Sequence, residues 1–138
     1  RSLAEKAQRR ERNTRQPKEK LSGTKATITI QNYLGGNYYF TVDEIETKEN
    51  EIRLIEGKHS KTNAFPSLED IKDGLLKMLL YVNIEKLIFE NRIYCPTAVL
   101  KLTVENGFNP ENLTSSNKKL LDVLDKEAEV NHFQLVIQ

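Results

Sequence analysis

The sequence predicts an α/β (α+β) fold, and three observations predict it. Two runs of aromatic and β-branched residues, 38–46 and 51–58, flank a short polar stretch at 47–50 and read as a β-hairpin. Residues 67–82 then switch to helical spacing, with apolar side chains at Leu68, Ile71, Leu75, Met78, Leu79 and Val82. Further strand-like runs alternate with a second helical pattern to the end of the chain. At 138 residues, with 38% apolar and 30% charged side chains, the chain is long enough to bury a core as one domain.

The elements follow in order. Residues 3–12 read as a helix, and 26–31 alternate as a strand before the Gly35-Gly36 turn. The hairpin comes next. In the helix over 67–82, Ser67 is the N-cap, Pro66 marks the boundary, and Glu69 and Asp70 lie at the positive end of the dipole. Gly74 inside this helix costs about 1 kcal/mol relative to Ala. Strands are expected at 86–90 and Thr97–Val104, followed by a loop punctuated by Asn106-Gly107 and Asn109-Pro110. A helix over 115–129 buries Leu120, Leu121, Leu124 and Ala128, and a last strand covers 132–137.

Charge is distributed unevenly. Residues 1–25 carry nine Lys or Arg and three Glu, a net of +6, while residues 26–138 carry a net of −5. The division expected is a basic N-terminal helix or arm at 1–24 and a domain at 25–138. Such an arm suits salt-dependent contact with backbone phosphates, with Arg9, Arg10 and Arg12 as DNA-binding candidates; a solvated terminus is the alternative. A single cysteine, Cys95, excludes an intramolecular disulfide and a cysteine zinc cage, and is expected to be a small buried apolar group. There is no apolar run long enough to span a membrane and no signal-peptide pattern, so a cytoplasmic setting is expected. The chain begins at Arg1 and is expected to be part of a longer protein.

The chemistry concentrates in the hairpin. A turn centred between Glu49 and Asn50 sets Asp43 opposite Glu56, and Lys58 shares their face. Two carboxylates about 5 Å apart repel by roughly 1 kcal/mol in water and roughly 3 kcal/mol at an effective dielectric near 20. A divalent cation turns that repulsion into ligation, and Mg²⁺ typically takes one or two carboxylates and keeps waters. Lys58 beside it would orient or deprotonate an attacking water. A solvent-facing row in which Lys58 neutralises Glu56 is the other reading of this spacing, and a one-residue slip would separate the carboxylates.

Asp43, the hairpin turn, and Glu56-Gly57-Lys58 after an apolar strand resemble the PD-(D/E)xK nuclease signature, with Val42 where the motif has Pro. The element order from about residue 24 onward resembles that superfamily's core, a mixed central sheet flanked by helices. The resemblance implies a Mg²⁺-dependent DNA endonuclease similar to the type II restriction enzymes of restriction-modification systems. Asp43 and Glu56 would hold the metal and Lys58 would act on the water, leaving a 5′-phosphate and a 3′-hydroxyl. It also implies double-stranded DNA as partner and a homodimer that cuts both strands. A repair or recombination nuclease of the same fold, an inactive nucleic-acid-binding domain and a plain interaction domain are the rival readings.

Many superfamily members add a first-helix Glu to the metal site, for which Glu5 and Glu11 are the candidates. Glu44 would replace Asp43 if the turn were shorter or bulged, and Glu46 is placed in the turn. His59 faces away from Lys58, while Lys61 and Lys72 are further candidates for DNA contact. Lys77 and Tyr81 lie one turn apart where exonuclease branches carry Gln-xxx-Tyr, and Tyr81 is expected to be a packing residue. No Walker pattern or zinc-ligand spacing is present.

Overall fold

Residues 12–14, 24–31, 36–62, 64–84, 86–89 and 91–138 are described by the computed structural model. Among them the chain forms β1 (Arg12–Thr14), β2 (Thr24–Gln31), β3 (Asn37–Lys48), β4 (Glu51–Ser60), α1 (Leu68–Val82), β5 (Leu87–Phe89), β6 (Arg92–Tyr94), β7 (Thr97–Val104), α2 (Ser115–Asn131) and β8 (Gln134–Ile137). The strands make one mixed sheet in the order β6-β5-β1-β2-β3-β4-β7-β8. The predicted α/β class is the observed one.

Three strand pairs are parallel, β1 with β5, β4 with β7 and β7 with β8, and the last two are each linked through a helix. Both crossovers step the same way across the sheet, so right-handed connections put α1 and α2 on one face. The C-terminal ends of both helices accordingly line one hollow with Ala98 of β7, through Leu79 and Val82 of α1, Val130 of α2 and His132, which caps α2.

Helix α1 begins as predicted, with the Ser67 hydroxyl accepting from the Asp70 amide at 3.2 Å. Its buried line is Ile71, Gly74, Met78 and Tyr81, whereas Leu68 and Leu79, expected in the core, are about half exposed. The cause is Gly74. A Cβ built there would lie 2.6 Å from Leu100 Cδ1 of β7, so the bare backbone seats the helix where a side chain would hold it off. Leu68 and Leu79 then both fall to one side of the contact line. In α2 only Leu124 of the four expected core residues is fully buried, and Leu120, Leu121 and Ala128 pack partly against the core.

The hairpin is tighter than predicted. Lys48 pairs with Glu51, leaving Glu49 and Asn50 as a two-residue turn, with Glu49 at a φ of 54°. Glu46 is therefore in β3 rather than in the turn, opposite Arg53. On its other side β3 is irregular. Ala26 pairs with Val42 but Thr24 pairs with Ile45, so β3 carries one extra residue there. This β-bulge lets Val42 and Ile45, three apart, both reach the core with no exposure.

Three expectations at the chain's other features change. Residues 1–11 lie outside the described residues, but Arg12 opens a strand instead of closing a helix, pairing with Ile30. The basic segment at 1–24 thus contributes to the sheet and is not wholly a separate arm. Cys95 is exposed, because it lies in the connection between β6 and β7, ahead of Pro96. Among the described residues, no helix is long and apolar enough to cross a membrane.

Candidate active site

The bulge and the end of the hairpin ladder fall at the same place. Pairing between β3 and β4 runs from Lys48–Glu51 up to Glu44–Ile55 and goes no further. At the next position the Asp43 side chain takes over, its Oδ2 accepting from the Gly57 amide at 3.1 Å. The strands begin to part there, and Asp43 is held by β4 backbone although it no longer pairs with Glu56 through the ladder.

Glu56 lies on the α1 face of β4, in the row of Ile52 and Leu54 and in register with Leu100 of β7. It is only 5% exposed, buried by the strands on either side and the helix above. Lys58, two residues on, places its Nζ 3.5 Å from Glu56 Oε2, while its Cγ is close to the Cβ position of Gly74. Close seating of α1 therefore confines the stem of Lys58. The other carboxylate oxygen, Glu56 Oε1, is buried without a hydrogen-bond partner.

Electrostatics tie Asp43 to this group. Burial raises the pKa of Glu56, the negative charge of Asp43 raises it further, and Lys77 and then Lys58 pull it down. Lys77 comes from α1. Its ammonium donates to the Thr41 carbonyl at 3.3 Å and stands 6.0 Å from the centre of the Phe40 ring. One turn further along α1, Tyr81 is fully buried, with a hydroxyl that has no hydrogen-bond partner. Burial first, then the charges of Glu56 and Asp43, hold the Tyr81 hydroxyl well above the ordinary tyrosine range. The cluster is thus two carboxylates, two ammonium groups and one buried phenol.

The structure brings Asp43, Glu56 and Lys58 within electrostatic reach of one another, with Asp43 bonded to Gly57 rather than laddered opposite Glu56, and adds Lys77 and Tyr81. Their i, i+4 spacing was visible in the sequence. What spacing alone could not supply was where α1 would land on the sheet. Glu44 does not replace Asp43 despite the shorter turn and the bulge; it pairs with Lys101 at 3.6 Å. Glu46 pairs with Arg53 at 2.9 Å. His59 lies on the face opposite Lys58, between Thr103 Oγ1 at 2.7 Å and Glu105 Oε2 at 3.2 Å. Lys61 is exposed beyond β4, and Lys72 is exposed and pairs with Glu69 at 3.5 Å, so neither joins the cluster. Arg9, Arg10, Glu5 and Glu11 lie outside the described residues.

Among the described residues, no three His, Cys, Asp or Glu side chains gather as a metal-binding group. Asp43 and Glu56 would be the protein's share of any metal site, which is the number of carboxylates Mg²⁺ typically takes while retaining waters. The unpartnered Glu56 Oε1 fits that role, since a buried carboxylate oxygen without a donor is costly unless something ligates it. The hard oxygen donors suit Mg²⁺ rather than a softer metal. The chain matches no protein-family model, no curated protein and no solved structure.

Proposed function

We propose that this chain is a Mg²⁺-dependent nuclease that hydrolyses DNA phosphodiester bonds. The observation that carries the reading is a buried glutamate, Glu56, with Asp43 repelling it and a lysine beside it. Burial and the negative charge of Asp43 both oppose the ionised form of Glu56, and one Glu56 oxygen has no protein partner. A fold built for stability alone gains nothing from this arrangement. Asp43 and Glu56 would hold the metal, which when bound supplies Lewis-acid polarisation of the phosphoryl oxygen and a more acidic water.

The chain's own groups have distinct tasks. Lys58, fixed against Glu56, orients the attacking water and offsets the charge that develops on the phosphate. Lys77, tethered to the Thr41 carbonyl, adds a second positive charge at the edge of the site. Tyr81 presents a buried hydroxyl that stays protonated at every physiological pH. A type II restriction enzyme, a homodimer cutting both strands of double-stranded DNA in the cytoplasm, is the form the Asp43…Glu56-Gly57-Lys58 signature supports. Lys77 and Tyr81 beside the carboxylates favour the second form, a repair or recombination nuclease, because they stand where exonuclease branches carry Gln-xxx-Tyr.

The test is cleavage of unmethylated plasmid and phage DNA with Mg²⁺, with EDTA, and with Lys58→Ala. Discrete fragments that require Mg²⁺ and Lys58 are expected of the restriction form. A smear with the same dependence selects the repair form. DNA that is bound but never cut would overturn the enzymatic reading.

A further inference from the structure

We infer that Tyr38 is a stacking platform for an unpaired base, so that the DNA taken by this site carries a single-stranded stretch. The inference rests on the nuclease reading in its repair or recombination form and adds to it the kind of DNA recognised.

It starts from the ladder between β2 and β3, which is regular from Gln31–Asn37 to Ala26–Val42. Side chains alternate along such a strand, so Tyr38, Phe40 and Val42 share one face. Val42 is in the core, Phe40 is partly buried, and Tyr38 is 61% exposed, so the row climbs out of the core into solvent. The Lys77 ammonium over the Phe40 ring identifies this as the face on which α1 and the candidate site lie. Tyr39, on the other face, has its hydroxyl hydrogen-bonded by the Asn37 amide at 3.3 Å.

A lone exposed tyrosine carries no meaning by itself. This one stands in line with a cation and a carboxylate pair. At about 3.3 Å per residue, Tyr38 is roughly 7 Å along β3 from Phe40 and roughly 16 Å from Asp43. An aromatic ring, an ammonium and a hydrolytic centre in that order match what one DNA strand offers: a base face, a phosphate and the bond to be cut. Tyr38 lies where β3 is laddered to β2, beyond the end of its ladder with β4. Its exposed ring is free of the core-packing duty that explains Phe40 and Val42.

The choice of an unpaired base follows from geometry. In a duplex both faces of each base are covered by its neighbours, and only an unstacked base can lie on an aromatic side chain. Stacking of this kind tolerates any base, and the adjacent lysines attract phosphate without regard to sequence. An overhang, a flap or a junction offers both chemistries at once.

The chain contains no tryptophan, so Tyr38→Trp introduces a unique fluorophore at the proposed platform. Its emission is measured in EDTA while a single-stranded oligonucleotide, or the blunt duplex of the same sequence, is added. Fluorescence anisotropy gives the affinities of wild-type protein, Tyr38→Ala and Tyr38→Phe, after thermal melting shows all of them folded. The expected result is quenching by the single strand and not by the duplex. Tyr38→Ala is expected to bind the single strand about tenfold more weakly, with duplex binding unchanged and Tyr38→Phe close to wild type. Unaltered single-strand affinity in Tyr38→Ala, or unquenched tryptophan at saturation, overturns the inference. If the wild-type protein nevertheless cleaves DNA through Lys58, the nuclease reading survives that failure. Tyr38-dependent binding without cleavage keeps the platform and removes the nuclease, and binding of neither DNA form removes both.

Discussion

The Asp43 carboxylate accepts a hydrogen bond from the Gly57 amide at 3.1 Å, at the position where the β3–β4 ladder ends. A side chain does there what a strand carbonyl does elsewhere in the hairpin. The exchange holds Asp43 within electrostatic reach of the buried Glu56 where the ladder between the two strands stops.

Asp43→Ala tests the relationship directly. It removes one exposed hydrogen bond, worth about 1 kcal/mol, and relieves a repulsion of about the same size. Stability by urea denaturation is expected to change by less than about 1 kcal/mol, while Mg²⁺-dependent cleavage falls about a hundredfold or more. A loss of stability that tracks the loss of cleavage would make Asp43 a structural residue.

Glu56 predicts an inverted pH dependence of stability. Its folded pKa lies above the unfolded value, because burial and Asp43 oppose the charged form. The native state therefore binds more protons than the unfolded chain in this range. The contribution is fully present below the unfolded pKa and is lost as pH rises through the folded pKa. In EDTA, Glu56→Gln is expected to melt several degrees above wild type at pH 8, with the gap closing as pH falls towards 4. Melting curves across that range check it, and equal midpoints at pH 8 would show that Glu56 is not disfavoured.

Lys77 acts on the same carboxylate with the opposite sign. Its charge favours ionised Glu56, so Lys77→Gln raises the Glu56 pKa further. If cleavage needs Glu56 ionised, the acid limb of the pH–rate profile moves to higher pH in Lys77→Gln and stays in place in Lys77→Arg. At pH 6 the Gln variant is expected to be about tenfold slower, with stability within about 0.5 kcal/mol of wild type. An unmoved acid limb would exclude Lys77 from the site.

Gly74→Ala opposes helix propensity to packing. Ala gains about 1 kcal/mol in a helix interior. Its Cβ would meet fully buried Leu100 at 2.6 Å, and overpacking of this kind costs roughly 1–3 kcal/mol. The expected net is a destabilisation of about 1 kcal/mol in urea, relieved by adding Leu100→Val. A more stable Gly74→Ala would show that α1 has slack against the sheet.

Local pattern carried much of the architecture. The hairpin register follows from the alternating runs, since a slip by one residue would turn Ile52 and Leu54 out of the core. The start of α1 follows from Ser67, and the second helix from the spacing of its leucines. The errors share a cause. Pattern assigns Glu46 to the turn because the strands extend through polar residues that pattern does not mark. Periodicity groups Leu79 with the apolar face of α1 because it says nothing of a close approach at Gly74. The strand at Arg12–Thr14 depends on partners as distant as Ile88, which no local window contains.

By itself the sequence determined that Asp43, Glu56 and Lys58 share a hairpin, because antiparallel register is set by neighbours along the chain and by one short turn. Tertiary structure alone decided what surrounds them. A bulge in β3 with no signature in the residues places Asp43 against Gly57. The landing of α1, set by the missing side chain of Gly74, brings Lys77 and Tyr81 to carboxylates tens of residues away. Those contacts depend on how a helix seats against a sheet, and that follows from the whole core rather than from any stretch of it.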